Sequence, residues 1–330
     1  MATQLEIGDK ELLNVLQSSF PLTEEPYAAI GARLGVPESV VIERIRLLRR
    51  QNYIREISAI FDTRRLGYQS SLVAMRVPQE TLYQAAARIN ELPGVSHNYS
   101  REGYFNLWFT VAVSPDCSLE KVVSHLSQEA GAESTRLLPA LRVFKIGVSF
   151  DMLQGEGASS EVLGRSAAGG ETAVPLSGLD KEIVRQLQQD LPLCQSPFEE
   201  MARRVGFGQR DLLERAQGLQ ASGVMRRYGA VLHHRRAGFR ANGMSVWQVP
   251  QERIEEVGTV LAAHPAVSHC YQRPTFPDWP YSLFAMVHAT TTEGCEEIIR
   301  ELSLSAGVPD YGVLYSRIEF KKTRVRYFLE

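Results

Sequence analysis

The stretch Pro93–Arg101, with the sequence PGVSHNYSR, decides the fold, because it returns 172 positions later as PAVSHCYQR at Pro265–Arg273. In the same way, Asp9–Glu11 returns at Asp180–Glu182. A repeated unit of this length is a duplicated set of domains rather than a solenoid, whose repeats run to roughly 20–50 residues. The repeat preserves a polar Ser-His-x-Tyr-x-Arg run, which indicates a functional site as well as a fold.

The bulk composition is that of an ordinary globular protein. The 330 residues are enough for two or three domains, and the formal net charge of −2 is a poor background for nucleic-acid binding. No signal sequence and no apolar run of about 18 residues is found, so we predict a cytoplasmic protein without membrane contact. Four cysteines without metal-binding spacing are typical of reduced thiols: Cys117, Cys194, Cys270 and Cys295.

Each repeat begins with a helical unit. In the first repeat, apolar spacing predicts a helix over 10–18, a second over 26–34 that ends at Gly35, and a third that starts near Pro37. The segment 53–60 then alternates like a strand. Three helices followed by a hairpin are typical of a winged helix-turn-helix. We predict one over residues 1–67 and a second over residues 179–238.

The remainder of each repeat has the order strand–helix–strand–strand–helix–strand, over residues 68–150 and 239–330. This order is typical of a ferredoxin-like (βαββαβ) domain. The predicted fold is therefore α+β, a duplicated winged helix-turn-helix plus ferredoxin-like domain. The antiparallel sheet of such a domain leaves one face free of helices, and we expect the two halves to dock through these faces as an internal pseudo-dimer.

The segment 151–178 joins the two repeats. It is rich in Gly, Ala and Ser and has few large apolar residues. Such a composition buries too little surface to offset the entropy of ordering. We therefore predict a flexible linker.

A winged helix followed by a ferredoxin-like domain resembles the Lrp/AsnC family of regulators, and Leu34–Pro37 resembles part of that family's DNA-reading unit. The closer resemblance is to the sirohaem decarboxylases, an enzymatic branch of that family. The motifs that carry it are long and polar: Arg226–Arg235, Ala241–Met244, Ser268–Pro274, Trp279–Phe284 and Phe320–Arg324 in the second half, with His97–Arg101 and Asn106–Phe109 in the first.

This resemblance implies a reaction and a set of partners. The family removes CO2 from the acetate groups on carbons 12 and 18 of sirohaem and produces didecarboxysirohaem, in haem d1 or alternative haem synthesis. It also occurs as two separate subunits, so this chain resembles a fused form, an Lrp/AsnC-like pseudo-dimer. A further homo-oligomer and contacts with other haem d1 enzymes are candidate associations.

The repeated run suits this chemistry. Strand alternation places His97, Tyr99 and Arg101 on one face, and the second run is equivalent, with His269, Tyr271 and Arg273. A histidine can supply the proton that replaces CO2, and an arginine can hold a carboxylate. We predict the histidines and arginines as catalytic and the tyrosines as substrate-binding. The alternative is that the histidines are packing residues, which the repetition beside Tyr and Arg disfavours.

Further cations and aromatic residues are predicted to bind the anionic ring: His234, Arg226, Arg227, Tyr228, Trp279, Trp108, Lys321, Lys322, Arg324 and Arg326. His234 is a candidate contact for the haem iron or a solvated wing residue, the two tryptophans are equally candidates for ordinary core, and His288 is interpreted as structural. No nucleotide, Walker or zinc motif is present. We predict no required cofactor and no protein metal site, and the iron belongs to the substrate.

Two alternative functions remain open. The helix-turn-helix units favour a DNA-binding regulator, but the reading helices begin with Glu38 in one copy and carry Asp211 and Glu214 in the other. DNA is therefore not an expected partner. A non-catalytic tetrapyrrole sensor would use the same cations as an enzyme.

The two repeats differ where chemistry is expected. Asp62 and Thr63 stand where the second repeat has His233 and His234, and Glu56 stands where it has Arg227. The first repeat also lacks the insertion that carries Trp279. A carboxylate at Glu56 is expected to repel a polyanionic ring, so we predict that the second half builds the principal pocket.

Overall fold

The computed structural model describes residues 6–150, 158–166, 173–232 and 241–329. The first repeat opens with three helices and a strand, α1 (Ile7–Ser18), α2 (Pro26–Leu34), α3 (Glu38–Arg50) and β1 (Ile54–Phe61). Gly35 ends α2 in the left-handed conformation, with a φ of 70°, as the sequence predicts.

The sheet domain of the first repeat follows directly. Its elements are β2 (Gln69–Arg76), α4 (Leu82–Glu91), β3 (Val95–Arg101), β4 (Leu107–Val113), α5 (Leu119–Glu129), β5 (Ser134–Leu138) and β6 (Arg142–Phe150). A further strand, β7 (Ala158–Ser166), lies beyond it.

The second repeat has the same order of elements. Its helical unit consists of α6 (Gly178–Leu187), α7 (Pro197–Arg204), α8 (Gln209–Ala221) and β8 (Met225–Leu232). Its sheet domain consists of β9 (Ala241–Trp247), α9 (Ile254–Ala263), β10 (Val267–Gln272), β11 (Leu283–Ala289), α10 (Thr292–Ala306) and β12 (Tyr311–Lys322).

The strand order confirms a duplicated ferredoxin-like fold. Ten of the described strands form one sheet in the order β5-β2-β4-β3-β12-β9-β11-β10-β6-β7. Each half contributes four strands in the order expected for βαββαβ, and the halves join where β12 pairs with β3 and β6 pairs with β10. The last strand of each repeat therefore crosses to the other repeat, as in a pseudo-dimer.

The two helical units pair with each other rather than forming separate wings. We expect a hairpin in each copy from the sequence, but β1 pairs with β8 across the repeats, with Ile57 opposite Ala230. Among the described residues each unit thus supplies one strand of a shared two-stranded sheet. Local alternation predicts both strands correctly and cannot specify which partner each one takes.

Apolar packing follows this arrangement. Each half of the large sheet packs its helices on one face. The helix-free faces meet in a separate core that includes Phe105, Trp108, Met244, Trp279 and Phe284. The halves therefore dock through their sheets, as expected.

Part of the segment predicted as a flexible linker forms a strand, and its flexibility stays a prediction. Residues 158–166 form β7, which pairs antiparallel with β6, with Phe150 opposite Ala158. The amide of Val174 also donates to the carbonyl of Arg65, at 2.9 Å. The edge of β6 offers backbone groups that any sequence can pair with, so composition alone is a poor guide here. Within the described ranges, no helix is long and apolar enough to cross a membrane.

Candidate functional site

Both His-Tyr-Arg rows lie on the helix-free face of the sheet. Tyr99 is the register partner of Trp108, and Tyr271 is the register partner of Phe284. Both partners belong to the core between the sheets. Because register partners share a face of a sheet, the two rows line the space between the halves.

Each row is an ordered stack. The rings of His97 and Tyr99 lie 6.2 Å apart with an interplanar angle of 29°, and those of His269 and Tyr271 lie 6.0 Å apart at 28°. The guanidinium of Arg101 lies 5.5 Å from the centre of the Tyr99 ring, and the second row repeats this contact at 5.0 Å. The structure thus brings together the residues that alternation places on one face.

The two arginines cross between the repeats. Arg101 donates to the carbonyl of Leu314 at 2.6 Å, and Arg273 donates to the carbonyl of Leu138. Arg101 is only 7% exposed, and the Nε atoms of both arginines are buried without a hydrogen-bond partner. Burial lowers the pKa of each guanidinium to about 10. Within the described ranges, no carboxylate forms an ion pair with either one.

The two histidines are oriented by the serines that precede them. Nδ1 of His97 lies 3.0 Å from the hydroxyl of Ser96, and Nδ1 of His269 lies 2.8 Å from the hydroxyl of Ser268. A hydrogen bond at one ring nitrogen determines which nitrogen carries the proton in the neutral imidazole. The serine contact therefore holds each ring at Nδ1 and turns Nε2 away from the serine.

Positive charge concentrates around the second row. Burial raises the pKa of Tyr271, and the charges of Arg273, Arg226 and Arg64 act in the opposite direction. Arg226 is held by Asp62, with the two side chains 2.6 Å apart. The aromatic ring of Tyr271 is thus surrounded by cations from both repeats.

Other cations predicted to bind the ring have protein partners. Arg324 pairs with Glu56 at 2.7 Å and also donates to the hydroxyl of Ser58. This pairing corrects the expectation that Glu56 repels the substrate, because its charge is balanced. Arg324 also lines a cleft of about 120 Å³, together with Arg55 and Arg326.

Three predicted binding residues lie at structural positions. Lys321 donates to the carbonyls of Asn90 and Leu92, where α4 ends. Arg227 donates to the carbonyl of Gln17. Tyr228 is buried against Phe20 and Phe198 in the helical core. Their ligand-binding role stays a prediction.

The remaining predicted residues are placed as follows. Trp108 and Trp279 contact each other in the core between the sheets, with ring centroids 5.2 Å apart. Lys322 is the register partner of His97, and Arg326 donates to the side chain of Gln189. His234 lies outside the described residues. Among the residues that the structure describes, no group of His, Cys, Asp and Glu could hold a metal ion.

Sequence reasoning missed Arg64 and Arg55. Arg64 lies close enough to influence Tyr271 and Arg273, and Arg55 donates to the carbonyl of Lys322, at 3.4 Å. Comparison of the two repeats could have identified both arginines, because Arg64 recurs as Arg235 and Arg55 recurs as Arg226.

Family models match both parts of each repeat. The model described as "AsnC-like ligand binding domain" matches residues 65–145 and 236–321. The model described as "Siroheme decarboxylase NirDL-like HTH domain" matches residues 9–55 and 180–226.

Similar proteins and structures cover almost the whole chain. A protein of Hydrogenobacter thermophilus named "Siroheme decarboxylase" is 40% identical over 324 residues, which are 97% of this chain and 95% of that protein. The "Siroheme decarboxylase beta subunit" of Methanosarcina barkeri is 44% identical over 44% of this chain and 97% of the subunit. The crystal structure of the siroheme decarboxylase NirDL, also solved with an iron-uroporphyrin III analogue, matches with a TM-score of 0.78 and 35% identity, over 97% of this chain and 94% of that chain.

Proposed function

The chain belongs to the sirohaem decarboxylase family and is a carboxy-lyase of sirohaem, and we propose that the groups it removes are the acetates on carbons 12 and 18. Each acetate becomes a methyl group, and the product is didecarboxysirohaem. The chain corresponds to the two subunits of the split relatives joined in one polypeptide.

The observation that carries this proposal is the pair of arginines beside the two histidines, of which Arg101 is buried and Arg273 is half-buried. A buried cation without an anionic partner is costly in a folded protein. Arg101 and Arg273 keep this arrangement at equivalent positions, and each has an Nε that lacks a partner within the described part of the chain. A ring that carries carboxylates supplies the missing negative charge. Two acetates are lost, and the chain offers two such rows.

The residues have separate roles in the reaction. Arg273 and Arg101 hold a carboxylate in place without giving up a proton. The bond between the methylene carbon and the carboxylate breaks, CO2 leaves, and the electron pair stays on the methylene carbon, conjugated with the pyrrole. His269 or His97 then donates a proton from Nε2 to that carbon, which becomes a methyl group.

This chemistry uses the tetrapyrrole itself as the electron sink. No electrons are gained or lost overall, and one proton replaces each CO2. The reaction therefore needs no cofactor, and the iron is part of the substrate.

We place the principal pocket at the second row. Arg64 adds positive charge beside Tyr271 there, and Arg226, whose charge is balanced by Asp62, also lies near this tyrosine. The first row has Arg55 in the position that repeats as Arg226, and its guanidinium bonds to a backbone carbonyl of β12. A polyanionic ring is expected to bind more tightly where more cations converge.

The cellular setting that fits this reaction is the cytoplasm, in haem d1 or alternative haem synthesis, where enzymes that make or use sirohaem are the expected partners. A DNA-binding role is disfavoured because the third helix of each unit is tied to the other copy. Arg46 of α3 donates to the carbonyl of Leu193, and Gln217 of α8 donates to the carbonyl of Leu22.

The test is anaerobic incubation with sirohaem in which only the acetates on carbons 12 and 18 carry 14C in their carboxylates. Two labelled CO2 molecules per ring are expected, and the His97→Ala/His269→Ala double variant serves as the control. Label that remains on a tetrapyrrole of lower mass would show that other carboxylates are lost instead. Label that remains on an intact ring would favour a non-catalytic sensor.

A further inference from the structure

A second histidine lies beside His269 on the helix-free face. On β11, Phe284 and Met286 face the core between the sheets, so alternation places His288 on the same face. Met286 is the register partner of His269. His288 therefore lies diagonally across one strand pair from His269.

Ser268 connects the two imidazole rings. Its hydroxyl lies 2.8 Å from Nδ1 of His269 and 2.7 Å from Nε2 of His288. The serine is 2% exposed, so water does not compete freely for these contacts. A hydroxyl donates one hydrogen bond and accepts two, so it can bridge the rings in either direction.

The first repeat has the serine and the first histidine but not the second. The amide of Ala112 donates to Gly94 at 2.9 Å, and the amide of His288 donates to Ala266 at the same distance. These equivalent bonds show that Ala112 occupies the position of His288. The bridge between two histidines is thus a feature of the second row.

We propose that His288 is a positioning residue for the decarboxylation, acting through Ser268 on His269. This inference rests on the proposed function, in which His269 gives a proton to the substrate. When Nε2 of His288 donates to Ser268, the serine hydrogen points at Nδ1 of His269, and a neutral His269 then carries its proton on Nε2. In the opposite direction, Nδ1 of a protonated His269 donates to Ser268, and the hydroxyl donates to His288.

The bridge therefore holds the His269 ring in one orientation in both protonation states. Nε2 remains the nitrogen that gives the proton, and the ring does not have to turn between cycles. The second row has this support and the first row has Ala112 in its place, so the second row is the faster proton donor.

The experiment compares His288→Ala, His288→Gln and His125→Ala. His125 is an exposed histidine that contacts Glu129, and its variant should match the wild type. We expect His288→Ala to lower kcat by about 3- to 10-fold, the effect of one orienting hydrogen bond, with KM and the affinity for iron-uroporphyrin unchanged. His288→Gln should recover most of the rate, since its amide can still bond to Ser268.

A wild-type kcat for His288→Ala would overturn the proposal. The proposal would also be overturned if His288→Ala and His288→Gln lost rate and ring affinity to the same extent. That result would indicate general damage to the sheet. The proposed function fails by a different result, in which the wild-type protein leaves sirohaem unchanged or His269→Ala keeps full activity.

Discussion

The guanidinium of Arg101 donates a hydrogen bond to the carbonyl of Leu314, which lies 2.6 Å away in the other repeat. Arg273 makes the equivalent bond to Leu138. Each His-Tyr-Arg row is therefore completed by a strand of the opposite half. This arrangement explains why a duplicated chain, or two related subunits, suits the site.

Replacing Arg273 with Met should weaken ring binding without destabilising the ligand-free protein. The substitution removes a partly buried charge that has no anionic partner among the described residues, and such a charge costs free energy in the folded state. We expect the Kd for iron-uroporphyrin to rise at least about ten-fold, equivalent to about 1.4 kcal/mol. The ligand-free Tm should be unchanged or higher.

Titration calorimetry and thermal unfolding measure the two effects. Arg300→Met is a suitable control, because Arg300 is exposed and contacts Glu297 on the surface of α10. Unchanged affinity in Arg273→Met would remove the arginine from the binding site.

His269→Ala should reduce activity more than His97→Ala. Loss of a general acid lowers a rate by about 10²–10⁴-fold, and we propose that the principal pocket lies at the second row. Steady-state kinetics with sirohaem, together with circular dichroism to check folding, separates the two variants. Equal losses would mean that both rows contribute equally, and a loss confined to His97→Ala would reverse the assignment of the halves.

Asp62→Asn should destabilise the protein at neutral pH by about 1–3 kcal/mol, because it leaves Arg226 without its partner. Burial by itself raises the pKa of Asp62, but Arg226 and the amides of Arg65 and Arg64 lower it below its ordinary value of 3.8. The stabilising effect is therefore fully present above pH 3.8 and is lost as the pH falls through the lower value in the folded state.

Urea unfolding of the wild type and Asp62→Asn at pH 7 and at pH 3 measures this difference. The difference in free energy of unfolding between the wild type and Asp62→Asn should be smaller at pH 3 than at pH 7. A gap that stays constant would mean that the contribution of Asp62 does not depend on its charge.

The protein should show negligible sequence-specific affinity for DNA. The third helices carry acidic residues in their first turns, Glu38 and Asp211, and Arg49 of α3 pairs with Asp190 of the other copy at 2.8 Å. Fluorescence anisotropy with random and selected duplexes at physiological salt tests this expectation. A discrete site bound about 10³-fold more tightly than random DNA would indicate a regulator instead.

The sequence predicts the helices and strands of this fold and the composition of the two His-Tyr-Arg rows. It does not predict which strands and side chains pair between the repeats. Alternation puts His269, Tyr271 and Arg273 on one face, and the structure agrees. Pairing of β1 with β8 depends on contacts between residues far apart in the chain, which local patterns do not encode. The bonds from Arg101 and Arg273 to opposite repeats escape prediction for the same reason.

His288 illustrates the limit of single-residue reasoning. A lone histidine on a strand is commonly structural, and only the register of β10 with β11 brings it to Ser268. The sequence holds only an indirect signal for a special role of His288. That signal is the difference between the repeats, because Ala112 occupies the equivalent position in the first one.

Decarboxylation of sirohaem is measured by incubating the purified protein with sirohaem without oxygen and following the mass of the tetrapyrrole over time. We expect a transient tetrapyrrole that has lost one CO2, followed by a final product that has lost two, without any added cofactor. The His97→Ala/His269→Ala double variant should bind the ring and leave its mass unchanged. An unchanged mass after prolonged incubation with the wild-type protein would contradict the account.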